Sequence, residues 1–403
     1  MTGTTFESLQ PSPGRVICYL IGDEGLLFSQ VTGRLYRLNT TAAFIWCCCE
    51  EGLKPLAIAG RVAERFAIPR NRARRDVVRA LTEWKSLGLL ATAAVPAVES
   101  PPDAWCELPV QTGTPRRIPD SAAARHERHY RLLDARLRVR YPCQPTEALL
   151  HPIFAHLEAG RDDGPAGDEA VFAIVEDEGG YALLRDGVQV SDRVDLLELA
   201  AAIQRQALIL AYESSACLVA VHAAAVGAGE RGVLLPGATG SGKSTLTAAL
   251  IGAGFTYLTD ELTLLMPEPG RIRPAPVSLG LKRGSWPLLA AAGTPLDALP
   301  IHHQEGREIR YLSPPENPLR RQETYAIQFM VFPQYVQGAP TALQRLGTAE
   351  ALYRVAEAGY AIPGDLDKDR VEDLIAWIAR LDCYALQMAD LGEAVRTIQE
   401  LVA

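Results

Sequence analysis

Lysine is scarce in this chain of 403 residues, occurring only at Lys54, Lys85, Lys243, Lys282 and Lys368. Most of the 40 basic residues are therefore arginines, and they are spread along a chain whose net charge is −8 at pH 7. Proteins that bind nucleic acid usually carry a concentrated basic face, and only the short arginine run within residues 70–79 is concentrated in this way. The composition therefore argues against a nucleic-acid partner.

Cysteine and long apolar runs are also rare. The 8 cysteines in 403 residues are too sparse for a disulfide scaffold, and no Cys-x-x-Cys pair occurs. Cys47, Cys48 and Cys49 would point about 100° apart on a helix, which prevents convergence on one metal and favours buried, inert thiols. Apolar stretches such as 200–211 are interrupted by polar residues and fall short of the ~20 residues of a membrane span. Because no signal-peptide pattern begins the chain, we expect a cytoplasmic protein without a membrane partner.

Three segments of different character divide the chain. Residues 1–95 contain a predicted three-stranded meander followed by three amphipathic helices, which indicates a small α+β domain of winged-helix type. The predicted strands are 16–20, 26–29 and 34–38, and Asn39, Thr40 and Thr41 offer N-cap side chains ahead of a first helix predicted over 42–50. Residues 96–124 are rich in proline without a sustained apolar period, as is typical of a linker. Residues 125–403 mix strands and helices, including a long helix predicted over 194–214, and are expected to form an α/β catalytic domain.

The strongest motif is the run Gly-Ala-Thr-Gly-Ser-Gly-Lys-Ser at residues 237–244, which fits the phosphate-binding P-loop pattern. A chance match has a probability of roughly three in a thousand, from frequency arithmetic on that pattern. Glycines let backbone N–H groups converge on phosphate oxygens at a helix N-terminus. We expect Lys243 to reach the β- and γ-phosphates of ATP and Ser244 to hold Mg²⁺. The predicted nucleotide-binding residues are Gly237, Ala238, Thr239, Gly240, Ser241, Gly242, Lys243, Ser244 and Thr245.

Two acids, Asp260 and Glu261, end the strand that is predicted after the P-loop helix. The carboxyl ends of parallel strands meet at one edge of a sheet, so both acids should face the phosphates. One carboxylate could hold Mg²⁺ while the other accepts a proton from an attacking hydroxyl; a solvated acidic turn is the alternative. His222, on the strand predicted over 220–226 before the P-loop, could pair with Asp260 and orient it, although a lone histidine in an apolar strand is more often a core residue.

The segment VHAAAVGAGERGVLLPGATGSGKSTL, followed by FTYLTDE, resembles the catalytic core of the HPr serine kinase/phosphorylase family. The resemblance is close over residues 220–262 and looser over about 125–400. It implies a P-loop fold of the HPr kinase/PEP carboxykinase type. It also implies that Asp260 accepts the proton with support from His222, that Lys243 binds phosphate, and that Ser244 and Glu261 hold Mg²⁺. Members of that family commonly form hexamers, which makes a homo-oligomer an expectation from the resemblance alone.

The chain departs from that family at two positions. The acidic pair is Asp-Glu where the family typically has Asp-Asp, and residues 280–286 lack the glutamate that serves the family as a metal ligand. A second metal position and the family's reverse dephosphorylation are therefore in question. Nearby basic residues are candidates for phosphate or substrate contact, with a solvated turn as the alternative. These candidates are Lys282, Arg283, Arg307 and Arg310.

Residues 14–95 resemble the PqqD-like peptide-chaperone family, also called the RiPP recognition element. The informative run is GRLYRLNTTAAFIW, with LTEWKSLGLL farther on. That family binds leader peptides of ribosomally made, modified peptides as an added strand. The resemblance implies that a leader pairs with strand 35–38, or with a neighbouring strand of the meander, and meets the third helix; a merely solvated arginine face is the alternative. The predicted peptide-binding residues are Leu35, Tyr36, Arg37, Leu38, Arg72, Arg75 and Arg79.

Together these features predict a two-part enzyme. It would use ATP and Mg²⁺ to phosphorylate a hydroxyl, Ser or Thr, of a ribosomal precursor peptide whose leader is held by the front domain. Two alternatives stay open: a kinase acting on a folded protein or a small molecule, and a nucleotide-gated peptide chaperone without phosphoryl transfer. Asp260 favours chemistry, whereas the missing downstream glutamate mildly favours the chaperone.

Overall fold

A computed structural model describes residues 15–30, 32–90, 126–160, 169–177, 179–314, 324–362 and 366–403. The chain divides into two compact units. The first contains the residues up to 104 together with segments 347–356 and 364–378, and the second contains 105–346, 357–363 and 379–403. The predicted linker, 96–124, lies outside the described residues. The segment predicted as one catalytic domain, 125–403, is thus interrupted by two pieces that group with the front unit.

The first unit has the element order that the sequence predicted, three strands and then three helices. These elements are β1 (Val16–Ile21), β2 (Glu24–Ser29), β3 (Arg34–Leu38), α1 (Thr40–Glu50), α2 (Pro55–Arg65) and α3 (Arg70–Ser86). The strands form an antiparallel sheet in the order β1-β2-β3, so β3 is an edge strand of that sheet as described. The Asn39 side chain accepts a hydrogen bond from the Ala42 N–H at 2.9 Å and begins α1. Burial raises the pKa of the Cys49 thiol to about 12, which makes it an inert core group.

The remaining strands and helices lie between residues 126 and 402. The first of them are β4 (His126–Leu132), β5 (Ala135–Tyr141), α4 (Gln144–Phe154), β6 (Ala170–Asp177), β7 (Gly180–Arg185), β8 (Val188–Gln189), α5 (Leu199–Glu213), β9 (Val219–Val221), β10 (Ala223–Ala228), β11 (Arg231–Pro236), α6 (Lys243–Gly252) and β12 (Thr256–Thr259). The others are β13 (Thr263–Leu265), β14 (Arg271–Pro274), β15 (Leu279–Lys282), α7 (Trp286–Ala291), β16 (His302–Gln304), β17 (Arg307–Leu312), β18 (Tyr325–Tyr335), β19 (Ala342–Arg345), α8 (Thr348–Ala358), β20 (Tyr360–Ala361), α9 (Lys368–Ile378), β21 (Asp382–Met388) and α10 (Leu391–Val402).

The central sheet of the second unit is mixed rather than parallel as expected. Its main path runs β12-β10-β11-β18-β14-β13-β9-β20, and β21 pairs with β18 and β19. Strand β10 lies between β11 and β12 and is antiparallel to both. Strands β11 and β12 therefore run in the same direction although they are not neighbours. Their carboxyl ends lie at one edge of the sheet, which brings the P-loop and the acidic pair together.

A second sheet, in the order β4-β5-β6-β7-β8, shares a hydrophobic core with α5. This core also includes Leu262, Tyr311 and Ala361, which lie near the acidic pair in sequence or in space. Helix α5 is thus held between the smaller sheet and the site described below. Among the described residues, no helix combines the length and the apolar character that a bilayer crossing requires.

Candidate functional site

The P-loop joins β11 to α6. Gly240 and Gly242 have φ values of 91° and 92°, in the left-handed region that favours glycine. A Cβ atom on Gly242 would also lie 2.7 Å from the Met388 Cε atom, so this position has no room for a side chain. The backbone before α6 is therefore open to a close approach by a ligand, and the N-terminus of α6 favours an anionic one.

A cavity of about 440 Å³ lies beside this loop. Seven of the nine predicted nucleotide-binding residues line it, in segments 238–240 and 242–245, whereas Gly237 and Ser241 do not. His222, Glu261 and Lys282 line the same cavity. The volume falls in the usual range for a small-molecule site.

Asp260 is completely buried at the end of β12 and lies against Lys243. The Lys243 side chain is also buried; its ammonium group donates to the Asp260 backbone carbonyl and lies 3.8 Å from Oδ1. Neither carboxylate oxygen of Asp260 has a hydrogen-bond partner in the described part of the chain. Burial raises the pKa of Asp260, and the positive charge of Lys243 opposes that rise. The Asp260 carboxyl is not among the groups that line the cavity.

Glu261, in contrast, lines the cavity and pairs with His222. The two side chains meet at 3.1 Å between Nε2 and Oε2, so the expected pairing of His222 with Asp260 is wrong. The other ring nitrogen of His222 lies 3.3 Å from the Ala358 carbonyl oxygen. Burial alone would raise the pKa of Glu261, but the charge of Lys243 and the hydrogen bond with His222 outweigh it and lower that pKa to about 2. Glu261 is therefore ionised throughout the physiological pH range.

The position of His222 in the sheet explains why it pairs with Glu261 and not with Asp260. The sequence predicted one continuous strand through residues 220–226, but the structure breaks it at His222 into β9 and β10. Strand β9 pairs with β13 and β20, and β10 pairs with β11 and β12. The His222 backbone N–H donates to the Gly359 carbonyl at 2.9 Å, which holds the residue at the junction of the two pairings. Glu261 lies between β12 and β13, next to the same junction.

The four basic candidates near residues 280–310 do not all lie at the cavity. Lys282 lines the cavity, and its positive charge contributes to the lowered pKa of Glu261. Arg283 pairs with Glu308 at 2.6 Å, and Arg310 pairs with Asp297 at 3.0 Å while stacking over Trp286. Arg283, Arg307 and Arg310 are not among the cavity-lining residues, so the structure does not bring them to the site. Gln304 and Glu305, at the turn between β16 and β17, line the cavity instead.

One face of α5 also lines the cavity, and the sequence reasoning missed it. This face, called the α5 wall below, consists of Ala201, Gln204, Arg205, Leu208, Ile209 and Tyr212. These positions recur in the pattern i, i+3, i+4, i+7, i+8 and i+11, as expected for one face of a helix. The helix itself was predicted, over 194–214. The apolar spacing along α5 was the signal available in the sequence. Such spacing does not distinguish a helix face that is buried in the core from one that lines a cavity.

The oxygen donors at this site fit a magnesium nucleotide. The described residues contain no cluster of three or more His, Cys, Asp or Glu suited to hold a metal ion by themselves. Mg²⁺ usually keeps several waters and binds through one or two carboxylates and the substrate phosphates, so it does not need such a cluster. Ser244 and Glu261 in the cavity, with the partnerless carboxylate oxygens of Asp260 behind them, supply donors of the required type.

The predicted peptide-binding residues lie in the first unit, on β3 and α3. Arg37 on the edge strand β3 pairs with Glu24 at 2.5 Å and with Glu350 at 2.8 Å, and Leu38 is buried. Leu35 and Tyr36 are partly exposed. The α3 arginines are exposed, and Arg72 and Arg79 make only marginal contacts with Asp76, at 4.0 and 3.5 Å. The described first unit thus offers an edge strand and, separately, an exposed basic helix face.

Comparisons with known proteins return one family model and two of the solved structures that resemble parts of this chain. Residues 24–90 match the family model of Coenzyme PQQ synthesis protein D (PqqD), which confirms the resemblance of the front domain over that range. The solved structure of TbiB1 in complex with the TbiA(beta) leader peptide is 27% identical, and the match covers 21% of this chain and 98% of that one with a TM-score of 0.20. The Hpr(Ser) kinase/phosphatase from Coxiella burnetii is 14% identical, with 45% of this chain and 93% of that one covered and a TM-score of 0.22. The search of curated proteins gave no match.

Proposed function

We propose that this protein is an ATP- and Mg²⁺-dependent kinase that phosphorylates a serine or threonine hydroxyl of a ribosomal precursor peptide. The observation that carries the proposal is one cavity that combines a P-loop, a buried lysine and an ionised glutamate paired with a histidine. Phosphoryl transfer needs positioning and charge neutralisation more than covalent chemistry. The residues that line this cavity supply both.

The P-loop side of the cavity is suited to the triphosphate of ATP. Backbone N–H groups at the start of α6 and the Lys243 ammonium group would bind phosphate oxygens, and Lys282 adds a second positive charge to the lining. Ser244 and the carboxylate of Asp260 are the donors that would hold Mg²⁺, which leaves Glu261 to the acceptor hydroxyl. When bound, the ion would neutralise charge on the phosphate groups.

The two acids have different roles in this proposal. Glu261 lines the cavity and is ionised, so an acceptor hydroxyl can reach its carboxylate and donate a proton to it. His222 orients that carboxylate through the 3.1 Å contact. Asp260 is completely buried beside Lys243, a place suited to positioning the lysine and completing the ion site. The geometry therefore supports Glu261 as the proton acceptor, whereas the sequence reasoning gave that role to Asp260.

The front domain supports a peptide as the substrate. Its match to the PqqD family model, its edge strand β3 and its exposed α3 arginines are features that suit a leader peptide added as a strand. Holding the leader raises the effective concentration of the attached core peptide at the catalytic unit. The front domain then governs which chain is modified, and the cavity governs which hydroxyl reacts.

The test combines the protein, γ-labelled ATP, Mg²⁺ and a precursor peptide that contains serine and threonine, and it measures added phosphate by mass spectrometry. Glu261→Gln should lower transfer by about 10²–10⁴-fold while ADP still binds. If Asp260→Asn, rather than Glu261→Gln, is the variant that binds nucleotide without reacting, the roles of the two acids are exchanged. A wild-type protein whose peptide affinity changes with ATP but that adds no phosphate would be a nucleotide-gated chaperone, and the kinase proposal would fail.

A further inference from the structure

Helix α5 has two faces with different surroundings. One face packs into the core of the second unit and includes Leu199, Ile203 and Ala207, which are almost completely buried. The other is the α5 wall, which adjoins the cavity and presents Leu208 and Ile209 there. Apolar side chains along a cavity are the usual lining of a ligand site, since a ligand that covers them removes apolar surface from water. The α5 wall therefore points to a ligand group that is itself at least partly apolar.

The α5 wall and the acid end of the cavity share one hydrophobic core. Leu262 directly follows Glu261, lines the cavity and belongs to the same core cluster as Leu208. Tyr311 and Ala361 also belong both to that cluster and to the cavity lining. Apolar residues of the cavity lining, among them the immediate chain neighbour of Glu261, thus belong to the same core as the α5 wall.

The geometry of phosphoryl transfer indicates which of the two substrates, ATP or the acceptor peptide, contacts the α5 wall. In the proposed reaction the acceptor hydroxyl meets the γ-phosphate next to Glu261, and the nucleoside is attached at the opposite end of the triphosphate. Lining groups on the Glu261 side of the γ-phosphate are therefore expected to contact the acceptor rather than the base. Apolar residues that continue from Glu261 are accordingly placed to contact the side chains that flank the reacting hydroxyl.

Gln204 adds a polar feature to the same wall. Its amide nitrogen donates to the Ser278 carbonyl at 3.2 Å, which identifies Oε1 as the remaining acceptor. That oxygen is buried and has no hydrogen-bond partner among the described residues, and the residue as a whole is only 6% exposed. A buried acceptor without a partner is unfavourable. A peptide N–H is a donor that could satisfy it after a small adjustment of the amide.

We propose that the α5 wall is the acceptor-specificity site of this enzyme, and that it selects peptides with an apolar residue next to the phosphorylated serine or threonine. The inference rests on the proposed kinase function and adds the substrate class to it. Within the wall, Ile209 is the partly exposed apolar residue best suited to a charge substitution, because Leu208 also belongs to the core.

The experiment uses the full-length protein and leader-free pentapeptides with a central serine, in which the two flanking positions are varied one at a time. Millimolar peptide replaces the concentration effect of a leader. Wild type should prefer Leu, Ile or Phe over Lys at one flanking position by about tenfold or more in kcat/KM. Ile209→Glu should abolish that preference and favour Lys, with a change in peptide KM that exceeds the change in ATP KM. Ile209→Ala is a milder replacement that keeps the fold, and it should weaken the preference.

Ile301→Glu is the matched control, because Ile301 is a partly exposed isoleucine of the same unit that does not line the cavity. It should keep the wild-type preference. If Ile209→Glu keeps that preference too, or if wild type transfers phosphate to all pentapeptides equally, the specificity proposal is overturned while the kinase function stands. If Ile209→Glu raises the KM for ATP and leaves peptide preference unchanged, the wall contacts the nucleoside and the proposal is wrong. A wild-type protein that phosphorylates none of these peptides and no precursor peptide overturns both proposals.

Discussion

Replacing Lys243 with Met tests the buried pair that this residue forms with Asp260. Lys243 is 6% exposed and Asp260 is 0% exposed, and their charged groups lie 3.8 Å apart. Removing one partner of such a pair costs about 3–5 kcal/mol, because the other charge stays buried without compensation. Domains of this size lose roughly 2–4 °C of Tm for each kcal/mol. We therefore expect Lys243→Met to lower the Tm of the second unit by roughly 6–20 °C, apart from its loss of ATP turnover.

The expected loss depends on pH, because Asp260 can become neutral by taking up a proton. Burial already raises its pKa above the ordinary value of 3.8, and removal of the Lys243 charge raises it further. A carboxyl whose pKa is higher in the folded state than in the unfolded state destabilises the fold progressively as the pH rises from the unfolded value to the folded one. The Tm deficit of Lys243→Met should therefore be smaller near pH 5 than near pH 8.

Thermal melts followed by circular dichroism at both pH values provide the measurement. The double variant Lys243→Met/Asp260→Asn removes the uncompensated charge, so it should recover most of the lost Tm and lose the added pH dependence while still failing to turn over ATP. A Lys243→Met protein as stable as wild type at both pH values would refute the reasoning. So would a double variant that is no more stable than the single one.

Three further outcomes test other parts of the structure. His222→Ala removes the hydrogen bond that helps to lower the pKa of Glu261 to about 2. The acid limb of the pH–rate profile for phosphoryl transfer should therefore move to higher pH. An unchanged acid limb would show that His222 does not influence the titration of Glu261. Gly242→Ala places a Cβ atom on a residue with a left-handed backbone conformation, at a cost of roughly 1–2 kcal/mol. Calorimetry should therefore find weaker ATP binding. An ATP affinity equal to that of wild type would contradict the left-handed P-loop geometry. Replacing the α3 arginines Arg72, Arg75 and Arg79 with Glu should weaken binding of an acidic leader peptide and reduce its salt dependence in fluorescence anisotropy; equal affinities would remove α3 from the leader site.

Local patterns in the sequence predicted the local features of the molecule. Asn39 and the apolar spacing after it predicted α1 to within two residues at its start, since an N-cap acts over a few neighbouring positions. The P-loop glycines were predictable for the same reason, because a positive φ is a property of single residues. These features need no knowledge of which distant segments meet.

The features that were missed depend on tertiary contacts. The apolar run around His222 gave no sign of a break, because the break follows from β9 and β10 pairing with different strands. The partner of His222 was misassigned for that reason. The grouping of segments 347–356 and 364–378 with the front unit is equally invisible in a local pattern, because it depends on contacts between residues hundreds of positions apart.

The different environments of the two adjacent acids suggest a division of labour that the Asp-Glu pair alone does not reveal. Asp260 is buried and its pKa is raised, whereas Glu261 is partly exposed to the cavity and its pKa is lowered to about 2 by Lys243 and His222. Two neighbouring carboxylates with pKa values moved in opposite directions are typical of sites where each has its own role. In the proposed kinase, the raised pKa of Asp260 makes it depend on a nearby cation, whether Lys243 alone or Lys243 with Mg²⁺. The negative charge of Glu261 is already compensated by Lys243 and His222, so its carboxylate stays available to an incoming hydroxyl. Phosphate binding and acceptor activation can therefore be carried out by two consecutive residues, Asp260 and Glu261, without competition.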